Sequence, residues 1–367
     1  MRVAVLGASG EIGQFVFRNL LNEGIETVPV VDRSLGPLLS RRSISPVRVD
    51  MLRPGTIRDA IRGCDCVVNC IMNKSESLTN KEKERLNIQY CRNLLNSCSK
   101  EGVVRLVHLS SIVVLPPRIT TESVRAPNAF SAEKDWYTKA KIGSEKVLNG
   151  YLESNPLVIV VRPGIVYGAT MNWSKVAFER TARGIIALPE APGTCMAVHP
   201  LDVARLVARL LQVDASTLPR LLYAVNPEHV DWSVFFSTHA EMLGLSNRVK
   251  QVSSGVLYKE ASLHDGKFSA RFLKWLSRSP IVDSARDQIV KAYREGKKVR
   301  DSGNWSRMEP VSPSLLLPSR SELDMYRSSV DLRSVETGQS ISFSYKVSFR
   351  KGCENAYLWW SNETSLG

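Results

Sequence analysis

The feature that most constrains the fold is a glycine-rich turn near the start of the chain. It follows a short apolar stretch and precedes an amphipathic stretch that predicts a helix. In this context glycines permit a tight turn, close approach of a pyrophosphate to the backbone, and packing of the helix on the strand. The helix N-terminus adds attraction for negative charge. The turn predicts a dinucleotide site made of Gly7, Gly10, Glu11, Ile12 and Gly13.

Apolar stretches alternate with helical patterns through the first half of the chain, which is typical of βαβ units. The predicted strands are Arg2–Leu6, Glu26–Val31, Val47–Val49, Cys66–Ile71, Val104–Leu109 and Val158–Val161, and the predicted helices lie near 11–22, 54–62, 81–99 and 131–152. We therefore expect an α/β fold with a doubly wound parallel sheet (Rossmann) in residues 1–168. Residues 169–367 are expected to form mainly a smaller, C-terminal substrate lobe, with some returning Rossmann elements and a basic insertion around 244–320.

The composition is that of an ordinary globular protein, with 43% hydrophobic and 23% charged residues in 367. Seven scattered cysteines indicate thiols rather than a disulfide framework, and no metal site is expected. The first strand begins at once, which leaves no room for a leader, and no apolar run approaches the roughly 20 residues needed to cross a bilayer. These features predict a soluble, cytoplasmic protein.

A formal charge of +13 raises the question of anionic partners. Between Gly244 and Arg320 there are 15 Lys and Arg against 7 Asp and Glu, so most of the excess lies in one segment. That segment includes a predicted basic helix around 267–278 with an apolar stripe. A peripheral membrane contact through this helix is the less favoured alternative, because such a stripe usually packs on its own lobe. No nucleic-acid partner is expected, although a non-catalytic cofactor-sensing or RNA-binding protein stays open as an alternative.

Three residues at strand ends are candidates to bind the adenosine part of the cofactor. Asp32, at the end of the second strand, is placed to accept hydrogen bonds from ribose hydroxyls, which favours NAD. The next residue, Arg33, can instead hold a 2′-phosphate, so NADP remains open. Asp50, after the third strand, is a candidate partner for the adenine amino group, with a plain turn role as the alternative.

Tyr137 and Lys141 stand four residues apart in a predicted helix, hence on one face. A phenol with a pKa near 10 is a poor base at neutral pH, and a neighbouring ammonium favours its ionised form. The same ammonium can bond the nicotinamide ribose. Ser111, just after the fifth strand, is placed to hold the substrate oxygen against Tyr137. The three residues predict hydride transfer at a secondary alcohol or ketone.

Further landmarks in the same order identify a family resemblance. They are Leu86-Asn87-Ile88, His108 to Ser111, Tyr137 to Lys141 with Glu145, Arg162 to Gly168, His199 to Ala204, and Val347 to Gly352. With the glycine turn, they make the chain resemble the extended short-chain dehydrogenases/reductases, the group of NAD-dependent epimerases, dehydratases and related reductases.

The resemblance implies roles for individual residues. It makes Ser111, Tyr137 and Lys141 catalytic, and it implies a homodimer formed through the helices near 81–99 and 131–152. Asn172 and His199 are candidate substrate contacts, with loop capping and a structural hydrogen bond as their respective alternatives. The cofactor-binding residues that we assign beyond the turn are Asp32, Arg33, Asp50, Met51, Asn69, Cys70, Lys74, Asn87, Pro163 and Tyr167.

The reaction is less closely defined than the family. The dehydratase branch carries an acidic pair beside the catalytic hydroxyl, whereas Ser111 is followed by Ile112 and Val113. Nucleotide-sugar members tend to carry an Arg ahead of the strand that leads to His199, and residues 193–196 contain none. We favour epimerisation of a nucleotide-linked sugar, with dehydrogenation or ketone reduction of a non-nucleotide small molecule as the alternative. The substrate is a small molecule, either anionic or nucleotide-linked in the favoured case.

Overall fold

The computed structural model describes residues 1–32, 45–116, 130–131, 135–150, 156–264, 314–328, 332 and 341–365. Within them, a seven-stranded sheet forms the centre of the fold. Its strands are β1 (Arg2–Leu6), β2 (Glu26–Val31), β3 (Val47–Arg48), β4 (Cys66–Asn69), β5 (Arg105–Leu109), β6 (Leu157–Pro163) and β10 (Leu221–Ala224). The spatial order is β3-β2-β1-β4-β5-β6-β10, and all neighbours are parallel.

Helices cover both faces of this sheet, which confirms the doubly wound α/β prediction. On one face lie α1 (Gly13–Asn22) and α6 (Pro200–Gln212), packed against each other. The other face carries α2 (Pro54–Ile61), α3 (Asn80–Lys100) and α4 (Trp136–Asn149). Because successive side chains of a strand point to opposite faces, β1 sends Val3 and Val5 into one core and Ala4 and Leu6 into the other.

Several predicted boundaries need correction. The fourth strand ends at Asn69 rather than Ile71, because the Asn69 side chain accepts a hydrogen bond from Ile71 N at 3.1 Å and turns the chain off the sheet. The helix that carries Tyr137 begins at Trp136 rather than at Ser131. The Asp135 side chain caps this start by accepting from Thr138 N. Strand β10 was not predicted at all, since only tertiary pairing with β6 reveals it.

The chain divides into two compact units. The first comprises Met1–Gly168, Met196–Glu228 and Val330–Gly352. It holds the seven-stranded sheet and a small ladder between β7 (Ile165–Val166) and β9 (Ala197–Val198). Residues well beyond 168 thus return to the sheet.

The second unit comprises Ala169–Cys195, His229–Ser329 and Cys353–Gly367. Its three-stranded sheet has β8 (Gly184–Pro189) between β11 (Val249–Val252) and β12 (Ser314–Leu316). The helices around it are α5 (Asn172–Arg183), α7 (Trp232–Met242), α8 (Ser254–His264), α9 (Arg320–Tyr326) and most of α10 (Phe349–Ser365). The predicted basic helix around 267–278 lies outside the described residues, as does most of the basic insertion. No helix among the described residues is long and apolar enough to cross a membrane.

Candidate active site

The glycine turn between β1 and α1 is as compact as the sequence predicts. Gly7 has a φ of +77°, a conformation that side chains other than glycine rarely adopt. Its N–H donates to Val30 O at 2.9 Å, which ties the turn to the neighbouring strand. A Cβ at Gly13 would lie 2.0 Å from the carbonyl oxygen of Gly7. A side chain at Gly13 would therefore force the helix away from the turn.

This turn fits a pyrophosphate. The first N–H groups of α1 receive no side-chain cap, because Ile12 occupies the N-cap position. The N–H groups of Gln14 and Phe15 donate to Gly10 O and Ile12 O at 3.1 and 3.0 Å, and the dipole of α1 attracts an anion to its N-terminus. Glu11 stands at the edge of this region and pairs with Lys74, with 3.7 Å between Oε2 and Nζ. This pair holds Lys74 beside Glu11 of the turn, and the contact of Lys74 with the cofactor stays a prediction.

The residues assigned to the adenosine end lie on neighbouring strand ends. Asp32 is exposed directly after β2, whereas Arg33 lies outside the described residues. The Asp50 carboxylate accepts from Leu52 N at 2.9 Å and pairs with Arg53 at 3.3 Å, which is the turn role left open above. Met51 is buried, and its carbonyl oxygen accepts from Asn93 at 2.8 Å.

Three further residues that we assigned to the cofactor, Asn69, Cys70 and Asn87, lie in or beside the loop that follows β4. Cys70 N donates to Leu6 O, and the Cys70 carbonyl group lies against Gly7, so this loop closes one side of the glycine turn. Asn87 holds the loop from α3: its amide accepts from Asn73 N at 2.8 Å and donates to Asn73 O at 3.0 Å. The amide of Asn87 thus positions the loop. Asn69 is buried beneath it.

The three predicted catalytic residues lie together in the first unit. Ser111 follows β5, its hydroxyl accepts from Val113 N at 3.3 Å, and it lies near enough to the Tyr137 phenol to affect the pKa of that phenol. Lys141 lies one turn further along α4, buried, with Nζ 6.0 Å from the centre of the Tyr137 ring. The ammonium donates to Leu109 O at 2.7 Å, which anchors it to the end of β5.

The surroundings shift the pKa values of both titratable members. Burial raises the pKa of Tyr137 to about 12, the nearby Ser111 hydroxyl opposes this rise, and the carboxylates of Glu11 and Asp135 add to it. Burial lowers the pKa of Lys141 to about 8, Lys74 lowers it further, and Glu145 raises it. Without a bound cofactor, the phenol is therefore protonated at neutral pH and the amine is mostly charged.

A buried ionic network, which was not predicted, lies next to Ser111, Tyr137 and Lys141. Glu145 and Arg162 are 1% and 0% exposed, with 2.6 Å between Oε2 and Nη2. Ser110 donates to the same carboxylate, and Arg162 donates to the Tyr223 hydroxyl at 2.8 Å. Two features of the sequence could have indicated this ion pair. Glu145 lies one helical turn after Lys141, and Arg162 stands within an otherwise apolar strand.

Four assigned residues lie further along the chain. Pro163 ends β6 and is buried. Tyr167 is fully buried, and its hydroxyl donates to Ser348 O at 3.3 Å. His199 caps α6 by accepting from Leu201 N and stacks edge-on against Tyr167, so its contacts are those of the structural alternative. Asn172 is exposed in the first turn of α5, in the second unit.

No group of three His, Cys, Asp or Glu side chains among the described residues is arranged to hold a metal ion. The seven cysteines are free thiols.

The chain is similar to several proteins of known function. In curated proteins, residues of this chain match a sterol-4-alpha-carboxylate 3-dehydrogenase (decarboxylating) of Dictyostelium discoideum, 25% identical over 46% of this chain and 55% of that protein. They also match tetraketide alpha-pyrone reductase 1 of Arabidopsis thaliana, 26% identical over 46% and 59%. The chain thus spans little more than half the length of these relatives.

Among solved structures, the UDP-glucose 4-epimerase of Thermus thermophilus in complex with NAD superposes with a TM-score of 0.59 at 18% identity, over 98% of this chain and 99% of that one. This likeness shows the shared fold. The model of the family described as "NAD dependent epimerase/dehydratase family" matches residues 3–189, just over half of the chain. The chain belongs to the NAD-dependent epimerase/dehydratase family, the extended short-chain dehydrogenases/reductases, whose enzymes use NAD as their cofactor.

Proposed function

We propose that this chain transfers a hydride between NAD and a secondary alcohol or ketone, with Ser111, Tyr137 and Lys141 as its catalytic residues. The observation that carries the proposal is the placement of Ser111, at the end of β5, beside Tyr137 and the buried Lys141 of α4, whose Nζ lies 6.0 Å from the centre of the Tyr137 ring. A structural role alone accounts poorly for a buried cation that is anchored through a single backbone carbonyl. The bound cofactor would supply or accept the hydride itself.

The protonation states favour reduction at neutral pH. Tyr137 holds its proton because burial raises its pKa, so it can donate that proton to a ketone oxygen. Ser111 can donate a hydrogen bond to the same oxygen. Oxidation of an alcohol requires the phenolate instead, which the Lys141 charge and the positive charge of an oxidised nicotinamide ring both favour.

For the substrate, we favour a non-nucleotide, largely apolar ketone or alcohol over a nucleotide sugar. Directly after Ser111, the buried side chains of Ile112, Val114 and Leu115 form one apolar cluster with Met196. A diphosphate finds no cation among these residues. The names of the two curated relatives, a sterol carboxylate dehydrogenase and a pyrone reductase, support the same choice. This reverses the order favoured from the sequence alone.

Epimerisation of a nucleotide sugar is the second candidate. The Thermus thermophilus epimerase, which covers almost the whole chain, favours it. The two reactions differ in their overall redox balance. An epimerase retains its cofactor and shows no net change in it, whereas a dehydrogenase or reductase converts free cofactor in proportion to substrate.

The test is a substrate panel followed through the absorbance of reduced nicotinamide. Purified protein is mixed with NADH or NADPH and a set of sterol, pyrone and β-oxo-acid ketones, and separately with UDP-sugars whose isomers are resolved by chromatography. Stoichiometric loss of NADH with a ketone supports the proposal, and isomerised sugar without net redox change supports the second candidate. Tyr137→Phe should lower either turnover by about 10²- to 10⁴-fold. Unchanged turnover in that variant would remove the enzymatic proposal, and a salt-sensitive complex with bulk RNA would then favour the non-catalytic alternative.

We also propose a homodimer through α3 and α4, on the basis of the family resemblance. The two helices pack on each other within the chain, which leaves their outer faces side by side. Light scattering after size-exclusion chromatography tests this, and a monomer at micromolar concentration would refute it.

A further inference from the structure

An asparagine of α3 reaches the turn that follows β3. Asn93 is 7% exposed, and its Nδ2 donates to Met51 O at 2.8 Å. Its Oδ1 accepts from Gln89 Nε2 at 2.8 Å, and Gln89 Oε1 accepts from Arg92 at 3.0 Å. This series of hydrogen bonds distinguishes the oxygen of the Asn93 amide from its nitrogen. The amide therefore presents a donor to the turn.

The turn formed by residues 50–53 has a buried side and an exposed side. The Met51 side chain is 3% exposed and packs in the core shared with α2 and α3. The Asp50 side chain, by contrast, is half exposed. The Thr56 hydroxyl of α2 donates to Asp50 O at 2.9 Å, and Asn93 bonds Met51 O from α3. Two helices thus anchor the backbone of the turn, while its carboxylate remains accessible to solvent.

One rigid peptide group connects Asn93 with the Asp50 carboxylate. Met51 O and Leu52 N belong to the same peptide, whose atoms lie close to one plane. Asn93 bonds the oxygen of this peptide, and the N–H of the same peptide donates to Asp50 Oδ1 at 2.9 Å. Because the peptide is planar, the bond that fixes its oxygen also fixes the direction of its N–H. Asn93 thereby determines where the Asp50 carboxylate is held.

Packing alone does not explain an amide at this position. The neighbouring residues Cys91, Leu94 and Leu95 of α3 lie in the apolar core, so an apolar side chain would suit the position of Asn93. Burial of an amide is unfavourable unless its polar atoms are hydrogen-bonded. The bond to Met51 O offsets this cost, so what Asn93 adds to the core is a fixed turn.

This turn lies beside the end of β2, at the carboxyl edge of the central sheet. β2 and β3 are parallel neighbours, and Val49 N donates to Val31 O at 3.0 Å. Asp32, which directly follows β2, is exposed. Open α/β sheets bind their ligands at the carboxyl ends of the strands. Asp32 and Asp50, which we assign to the adenosine end of NAD, therefore follow neighbouring strands at that edge.

We propose that Asn93 is a positioning residue for adenine recognition, which acts by holding the Asp50 carboxylate at the adenosine end of the cofactor site. The inference rests on the NAD binding of the proposed function. An ionised carboxylate accepts hydrogen bonds at about four lone-pair positions, and the exocyclic amino group of adenine donates them. Leu52 N and Arg53 occupy only part of that capacity. The role of Asp50 in the turn and a role toward adenine are therefore compatible.

The test measures discrimination between two reduced dinucleotides by titration, followed through nicotinamide fluorescence. One is NADH, and the other carries an unsubstituted purine in place of adenine, so that it lacks only the amino group. We expect the unmodified protein to bind NADH about tenfold more tightly, as for one hydrogen bond to a charged group. In Asn93→Leu this preference should vanish, because NADH affinity falls about tenfold while the affinity for the analogue is retained. A preserved preference would overturn the proposal, since a general loss of stability lowers both affinities alike.

Two further variants define the route of the effect. Asp50→Ala, at a half-exposed position, should lose the same preference, and Asn93→Leu added to it should cause no further loss, because residues that act through one contact are not additive. Asn96→Leu, at an exposed position of α3, is the matched control and should behave as the unmodified protein does. A preference for NADH that is retained in Asp50→Ala would contradict the proposal even if Asn93→Leu does not fold.

This inference and the catalytic proposal can fail separately. If the substrate panel yields no turnover while Asn93→Leu loses the preference for NADH, the catalytic function fails and the role of Asn93 stands. If turnover is found but the preference is unchanged in Asn93→Leu, or is absent from the unmodified protein, the inference about Asn93 fails alone.

Discussion

Glu145 and Arg162 form a fully enclosed ion pair that joins the catalytic helix to the neighbouring strand of the central sheet. The pair lies one helical turn beyond Lys141, and Ser110 and Tyr223 complete its hydrogen bonds. Because Ser110 directly precedes Ser111, the network fixes both the helix with Tyr137 and the strand end with Ser111.

Removing one charge of this pair should be costly. Glu145→Gln leaves the Arg162 guanidinium buried without its counter-ion, and we expect a loss of about 3–5 kcal/mol in the free energy of unfolding. Urea denaturation measures it. The matched control is Asp59→Asn, which breaks an exposed pair with Arg62 and should cost about 0–1 kcal/mol. Equal losses in the two variants would show that the buried pair does not stabilise the fold as proposed.

The glycine turn should tolerate no side chain at Gly13. In Gly13→Ala the new Cβ would meet the Gly7 carbonyl oxygen at 2.0 Å, so the start of α1 must move away from the pyrophosphate position. We expect NADH affinity to fall by more than about tenfold, equivalent to more than about 1.4 kcal/mol. Isothermal titration calorimetry measures it. Gly55→Ala, where a Cβ meets nothing within 4 Å, is the control and should bind NADH as the unmodified protein does.

The pH dependence of turnover should respond to Lys74. The Lys141 ammonium is charged below its pKa of about 8, so turnover should decline as the pH rises through that value. Lys74 lowers this pKa by charge repulsion. Lys74→Met should therefore move the alkaline decline of kcat to higher pH, by up to about one unit, because Lys74 is half exposed and screened.

Lys139→Met supplies the comparison for this shift, since Lys139 is an exposed residue of the same helix. Its kcat profile should superpose on that of the unmodified protein. A profile that moves to lower pH in Lys74→Met would contradict the assigned charge coupling.

The second unit should lose stability in acid through His239. Burial lowers the pKa of His239 to about 4, whereas an exposed histidine titrates near 6.5. Between these values the unfolded chain binds a proton that the folded chain does not, so stability falls as the pH decreases from about 6.5 to 4. Each such group contributes a slope of up to roughly 1.4 kcal/mol per pH unit.

His239→Gln should reduce that slope, and urea denaturation at several pH values measures it. The glutamine retains polar groups for Ser174 and for the Phe235 carbonyl, which His239 contacts at 3.0 and 2.7 Å. His229→Gln, at an exposed position, is the control. An identical slope in His239→Gln and the unmodified protein would show that this residue does not titrate on unfolding.

The class of fold could be predicted from the amino-acid sequence, and so could the order of the Ser, Tyr and Lys that we propose as catalytic. Periodicity placed β1 and β2 at their observed limits, because buried parallel strands are continuous apolar runs whose ends are marked by turn residues. Glycine spacing identified the dinucleotide turn, and the interval of four between Tyr137 and Lys141 placed both on one helical face. These features are local, so the order of residues suffices to read them.

The surroundings of those residues depend on how segments pack together in three dimensions. The pairing of β10 with β6 and the burial of Glu145 against Arg162 both join segments that are separate in sequence. Burial and charge partners set pKa values and hydrogen-bond needs, and both depend on which segments pack together. The glycines and the Ser, Tyr and Lys could therefore be named from the sequence, whereas the buried ion-pair network beside them could not.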